Sequence, residues 1–167
     1  MIAFIRFINR LNDRIGKVCS FIVVPIISII LLELFLRGAF NRPTSWVHEL
    51  SGYLLAAYSV LAGGYTLLHG AHVNVDIIFK KFSPRKQSII SLFTWMLFFY
   101  LFFVIIWRTG EAGIFSMMIG ERSPSTWGPL FWPVRLLIPI GSILITLQGV
   151  VQFLDDLFFA IKGEKLT

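Results

Sequence analysis

Apolar positions gather into four long windows, roughly 18–36, 50–68, 89–107 and 130–154, with short polar stretches between them. About 20 mostly apolar residues in a helix cross the roughly 30 Å hydrocarbon core of a bilayer, and each window reaches that length. Only helices or closed barrels satisfy their backbone in lipid. The pattern therefore predicts an all-α integral membrane protein with four transmembrane helices in a single membrane domain, residues 1–167.

Finer periodicity separates the windows. Ahead of the first, residues 1–16 place Phe4, Ile8, Leu11 and Ile15 on one helical face, with Arg6, Arg10, Asp13, Arg14 and Lys17 on the remainder. This predicts an amphipathic helix lying on a leaflet; the first turns of one long tilted helix fit the same pattern. In the first window Pro25 predicts a kink. Glu33 and Arg37 stand at i and i+4 near the window's outer end, in the favourable acid-then-base order.

The second window carries small residues at alternating steps of four and three: Gly52, Ala56, Ser59, Gly63, Thr66 and Gly70. In lipid, small residues let helix backbones approach and gain dispersion contacts, so this stripe predicts a helix-packing or subunit interface. The third window is bulky from Trp95 to Trp107 and is expected to face lipid over much of its circumference. A small-residue track then follows at Thr109, Gly113, Ser116 and Gly120. A break is expected near Thr109–Gly113, because one helix from Ser88 to Gly120 would be about 50 Å long. The fourth window has a second small stripe, Ser142, Thr146 and Gly149, and Gln148 as an interhelical hydrogen-bond donor or acceptor. Pro129, Pro133 and Pro139 predict an irregular outer half. Arg135 lies there too, either reaching outward to the headgroups or meeting Glu33 at similar depth.

Composition agrees with the windows: 56% of the 167 residues are hydrophobic and only 14% charged, against about 25% charged in ordinary soluble domains. The net charge of +6 is arranged by topology and does not point to nucleic acid. Arg6, Arg10, Arg14 and Lys17 precede the first window; Lys80, Lys81, Arg85 and Lys86 separate the second from the third; Lys162 and Lys165 follow the last. The positive-inside rule then places both termini in the cytoplasm. A single cysteine, Cys19, excludes an intrachain disulfide.

The candidate chemistry sits in HGAHVNVD, His69–Asp76. His69, His72 and Asp76 share a helical face, but no further His, Cys or acid is available at that depth, so one chain does not close a metal site. The same stretch reads as a membrane exit, with His72, Asp76 and Lys80 forming a polar interfacial ridge. Ser83 and Pro84 then begin the next helix. The middle of the second and third windows holds no charge such as a proton or ion pathway needs. The sequence therefore predicts no catalytic, substrate-binding or metal-ligating residue and no enzyme. The competing reading is a self-sufficient homo-oligomeric transporter or channel lined by Ser59, Thr66, Ser142, Thr146 and Gln148. A third is a metal enzyme built across an oligomer from His69, His72 and Asp76. Two outer loops share a pattern, PTSW at Pro43–Trp46 and PSTW at Pro124–Trp127, of turn proline, capping hydroxyls and interfacial tryptophan.

Four windows, the W-x-x-E element Trp46–Glu49, GYTLLHGAHVNVD at Gly64–Asp76 with a basic hairpin after it, and GERSPSTWGPLFWPVRLLIPIG at Gly120–Gly141 together resemble the small membrane subunit (DctQ component) of tripartite ATP-independent periplasmic (TRAP) transporters. Many members carry two acids after the tryptophan, where this chain has His48 and Glu49. The resemblance implies a non-catalytic small permease subunit in a bacterial or archaeal inner membrane. It would brace the scaffold of a large transport subunit that holds the sodium and substrate sites. A periplasmic binding protein would deliver an organic acid, a carboxylate or sulfonate. This chain would need no cofactor of its own beyond bound phospholipid. The outer segments available for docking carry Arg42, Trp46, Glu49, Glu121, Arg122 and Trp127, with Glu33, Arg37 and Arg135 as membrane-edge charges.

Overall fold

The chain folds as helices α1 (Ile2–Ser20), α2 (Val23–Phe40), α3 (Val47–Leu61), α4 (Gly63–Leu68), α5 (Pro84–Met118) and α6 (Trp132–Lys162). The structure, a computed structural model, describes the backbone of residues 2–70 and 84–162 and the side chains of 3–70 and 93–158. Among the described residues there is no strand, only an isolated antiparallel bridge between Arg122 and Leu130. Among the described residues three stretches are long and apolar enough to cross a membrane: Ala3–Phe40, Phe93–Met118 and Trp132–Phe158.

Each break has a local cause. Pro25 has no N–H to give the Phe21 carbonyl. The chain tightens there, with Phe21 N–H bonded to Val18 O at 3.2 Å and Ile22 N–H to Cys19 O at 2.9 Å, and α1 ends before α2 begins. The second window, expected as one helix over 50–68, is divided at Ala62, whose ψ of −10° leaves the helical value just before the glycine pair Gly63–Gly64. The third window reverses its expectation. No break occurs near Thr109–Gly113, and α5 runs unbroken for 35 residues, about 52 Å. Thr109 returns its hydroxyl to the Ile105 carbonyl at 2.7 Å. Gly113 is buried against Leu136 of α6, so the glycine serves helix approach and not chain reversal. The fourth window is also more regular than its prolines suggest. Irregularity is confined to the loop before Trp132, while Pro139 lies inside α6 and is buried.

The centre of the fold is α6, which packs against α5, α3, α4 and α1. α2 packs chiefly on α3 and has no buried residue. The aromatic run of α5 turns part of itself to α6, where Trp95 and Phe99 meet Phe153. Phe93, Leu97, Tyr100, Phe103 and Trp107 remain exposed.

The first helix departs most from its expectation. Its buried face is Ile5, Ile8, Asn12, Gly16 and Cys19, not the Phe4, Ile8, Leu11, Ile15 face. Ile5 and Ile8 pack with Val151 and Leu147, and Gly16 sits against the Tyr65 ring. The helix is thus fastened to the bundle along one side.

Candidate functional site

Two groups of polar or small residues stand out: the loops at one end, and the helix contacts within the bundle. The loop end is formed by residues 41–46 and 119–131. Asn41 leaves α2 in the left-handed region at φ 51°. The longer loop is pinched closed by Ser123 N–H to Pro129 O and Phe131 N–H to Glu121 O, both 2.9 Å, with Gly120 and Gly128 at positive φ making its turns.

Three carboxylates hold this end together. Glu33 accepts from Arg37 at 2.7 Å and from the Thr44 amide at 3.0 Å, and also from the Thr44 hydroxyl. It therefore ties the first loop to α2. Glu49, in the first turn of α3, accepts from Tyr53 Oη at 2.7 Å and from Ser125 Oγ at 2.5 Å. It ties the second loop to α3. The Ser123 and Ser125 hydroxyls, with a smaller contribution from Tyr53, hold its carboxyl below the ordinary value. Glu121 pairs with Arg135 at 2.7 Å, and the Arg135 guanidinium lies 5.4 Å from the Phe131 ring centroid. The carboxylate that Arg135 meets is therefore Glu121 and not Glu33.

The other loop residues stay available at the surface. Arg42 and Trp127 are exposed and Trp46 is half-buried. Arg122 donates to the Gly128 carbonyl at 3.2 Å. Each of the three carboxylates is engaged by hydroxyls, an amide or a guanidinium, so this end is built as a braced surface.

Inside the bundle the predicted small stripe divides in two. A side chain at Gly63 would meet Ile145 of α6, whereas one at Gly52 would meet nothing. Ser59 is exposed, Ala56 and Thr66 are half-buried, and Gly70 ends α4 in the open at φ 64°. Of the second stripe, Ser142 is buried and Gly149 lies under Phe98 of α5, while Thr146 returns its hydroxyl to Ser142 O at 2.7 Å. Of the residues expected to line a pore, Gln148 and Ser142 are buried inside the chain and Ser59 is exposed. His69 lies against Tyr65 with ring centroids 4.2 Å apart and planes tilted by 36°. The ridge His72, Asp76 and Lys80 lies outside the described residues.

Sequence reasoning named Gln148 as an interhelical hydrogen-bond residue but missed its partners on α1. Asn12 Nδ2 donates to Gln148 Oε1 at 2.9 Å, and Gln148 Nε2 donates to Asn9 Oδ1 at 3.0 Å. Asn12 also covers Gly64, whose missing side chain makes the room. Nearby, Gln152 donates to the Leu67 carbonyl. Gly141 was missed as well; a side chain there would strike Val60, backbone included. Asn9 and Asn12 on an otherwise apolar flank of α1 were the available signal.

Comparison with known proteins supplies the context for these contacts. Residues 26–159 match the family described as tripartite ATP-independent periplasmic transporters, DctQ component. The chain is also similar to a Haemophilus influenzae protein described as a TRAP transporter small permease protein. The two are 25% identical over 158 residues, covering 92% of this chain and 94% of that relative.

Proposed function

Because the chain belongs to the DctQ component family of TRAP transporters, and is thus a small permease subunit of such a transporter, we propose that its task is to pack against and brace a large transport subunit. The observation that carries this reading is the divided stripe. Gly63 is filled from within the chain, whereas Gly52 and Ser59 on α3 are open, beside an α2 that buries nothing. Small open positions on a membrane helix are where another backbone comes close.

In this reading α3 and α4 together make the fourth crossing over residues 50–68, about 28 Å. Both termini face the cytoplasm of a bacterial or archaeal cell, and the loop end faces the periplasm. There the braced surface with Arg42, Arg122 and Trp127 receives a binding protein that carries an organic acid. Sodium and substrate sites belong to the large subunit. Ser59→Leu and Gly52→Leu test the reading by co-purification: both should weaken association with the large subunit while leaving this chain folded. Undiminished association in both variants contradicts it.

A further inference from the structure

α1 has three faces, and only one is used by the bundle. Ile5, Ile8, Asn12, Gly16 and Cys19 are buried. Beside them an apolar face stays open, with Phe4 45%, Phe7 62% and Val18 68% exposed. The remaining face carries Arg6, Arg10 and Arg14, all exposed and one turn apart. Lys17 on that side is neutralised by Asp13 at 2.6 Å, but among the described residues no carboxylate pairs with the three arginines.

The path of α1 fits this division. Ile5 and Ile8 lie on Val151 of α6, Asn12 sits between Gln148 of α6 and Gly64 of α4, and Gly16 rests on Tyr65 of α4. The helix therefore crosses from one neighbour to the next and follows neither. Gln148 is about 24 Å along α6 from Trp132. If Trp132 marks one boundary of a 30 Å core, α1 crosses about 6 Å inside the other. That is the depth of an interfacial helix, about 5–10 Å.

We propose that α1 is an anionic-phospholipid site: Arg6, Arg10 and Arg14 hold headgroup phosphates while Phe4, Phe7 and Val18 enter the acyl layer beneath. A row of guanidiniums beside exposed aromatic and aliphatic side chains is complementary to an amphiphile with an anionic head. A water-soluble anion would leave the apolar face uncovered. Arginine also engages two phosphate oxygens at once, which lysine does not.

The test uses the purified full-length chain in mixed micelles, titrated with phosphatidylglycerol or phosphatidylcholine and followed by thermal unfolding. Phosphatidylglycerol should bind at least about tenfold tighter, since a basic residue near an anionic lipid surface contributes roughly fivefold. Each of Arg6→Gln, Arg10→Gln and Arg14→Gln should reduce that preference by about fivefold. The triple glutamine variant should abolish it, and the triple lysine variant, which keeps the charge but not the two-oxygen grip, should keep only part of it. If the triple glutamine variant does not fold, the single variants decide. Glycerophosphoglycerol, the same headgroup without acyl chains, should produce no shift. Equal affinity for the two lipids, an undiminished preference in the glutamine variants, or an equal shift with the soluble headgroup overturns the proposal.

Discussion

Asn12 and Gln148, 136 residues apart, share a hydrogen bond of 2.9 Å with both side chains almost fully buried. The bond closes the fold by joining the first helix to the last. Helix-to-helix hydrogen bonds in membranes average about 0.6 kcal/mol and reach about 1.7. Removing one partner also strands the other, at about 1–3 kcal/mol.

Asn12→Leu and Gln148→Leu are each expected to lower the stability of the purified chain by about 1–3 kcal/mol. The double variant should lose less than the sum, because neither partner is then left unpaired. A double-mutant cycle on denaturant unfolding in micelles measures this. Strict additivity would show that the pair does not couple.

Glycine positions should sort by what stands over them. Gly141→Val drives a side chain into the Val60 backbone and Gly63→Leu into Ile145. Each should cost about 1–3 kcal/mol as overpacking. Gly52→Leu meets nothing and should leave the melting temperature of the isolated chain within about a degree, consistent with the small effect of ordinary surface changes. Thermal unfolding of the three variants side by side decides it.

This sorting also shows where the sequence was legible. Spacing found the small residues of the second window as a set, but period alone carries no information on which neighbour covers which residue. Gly63 belongs to Ile145, and Gly52 to no residue of this chain. The same gap concealed the inward face of α1. Asn9 and Asn12 acquire their role only from Gln148 opposite them, and that pairing depends on a crossing 136 residues away. The expected break at Thr109–Gly113 failed for a related reason. Helix length was judged against bilayer thickness, whereas α5 keeps its packing partner α6 beyond that thickness, with Gly113 admitting Leu136. Glu33 and Arg37, by contrast, needed only their i,i+4 spacing to be paired correctly.

Acid should loosen the loop end through Glu49. Its carboxyl is held below the ordinary 4.5 by the Ser123 and Ser125 hydroxyls, so the folded loop favours the ionised form. That contribution is complete above the unfolded carboxyl's value and is lost as pH falls from about 4.5 through the lowered folded value. Amide exchange in residues 119–131, corrected for intrinsic rates, should therefore rise on acidification below that point. In Glu49→Gln the Glu49-dependent part of that rise should disappear, and protection at neutral pH should already be lower.

The central claim is that this polypeptide contributes fittings for neighbouring helices and the large subunit performs the transport. The direct measurement is solute uptake into vesicles holding the chain alone, and into vesicles holding it with the large subunit and the binding protein. The account predicts no uptake in the first and sodium-dependent uptake of an organic acid in the second. Uptake by the chain alone would contradict it.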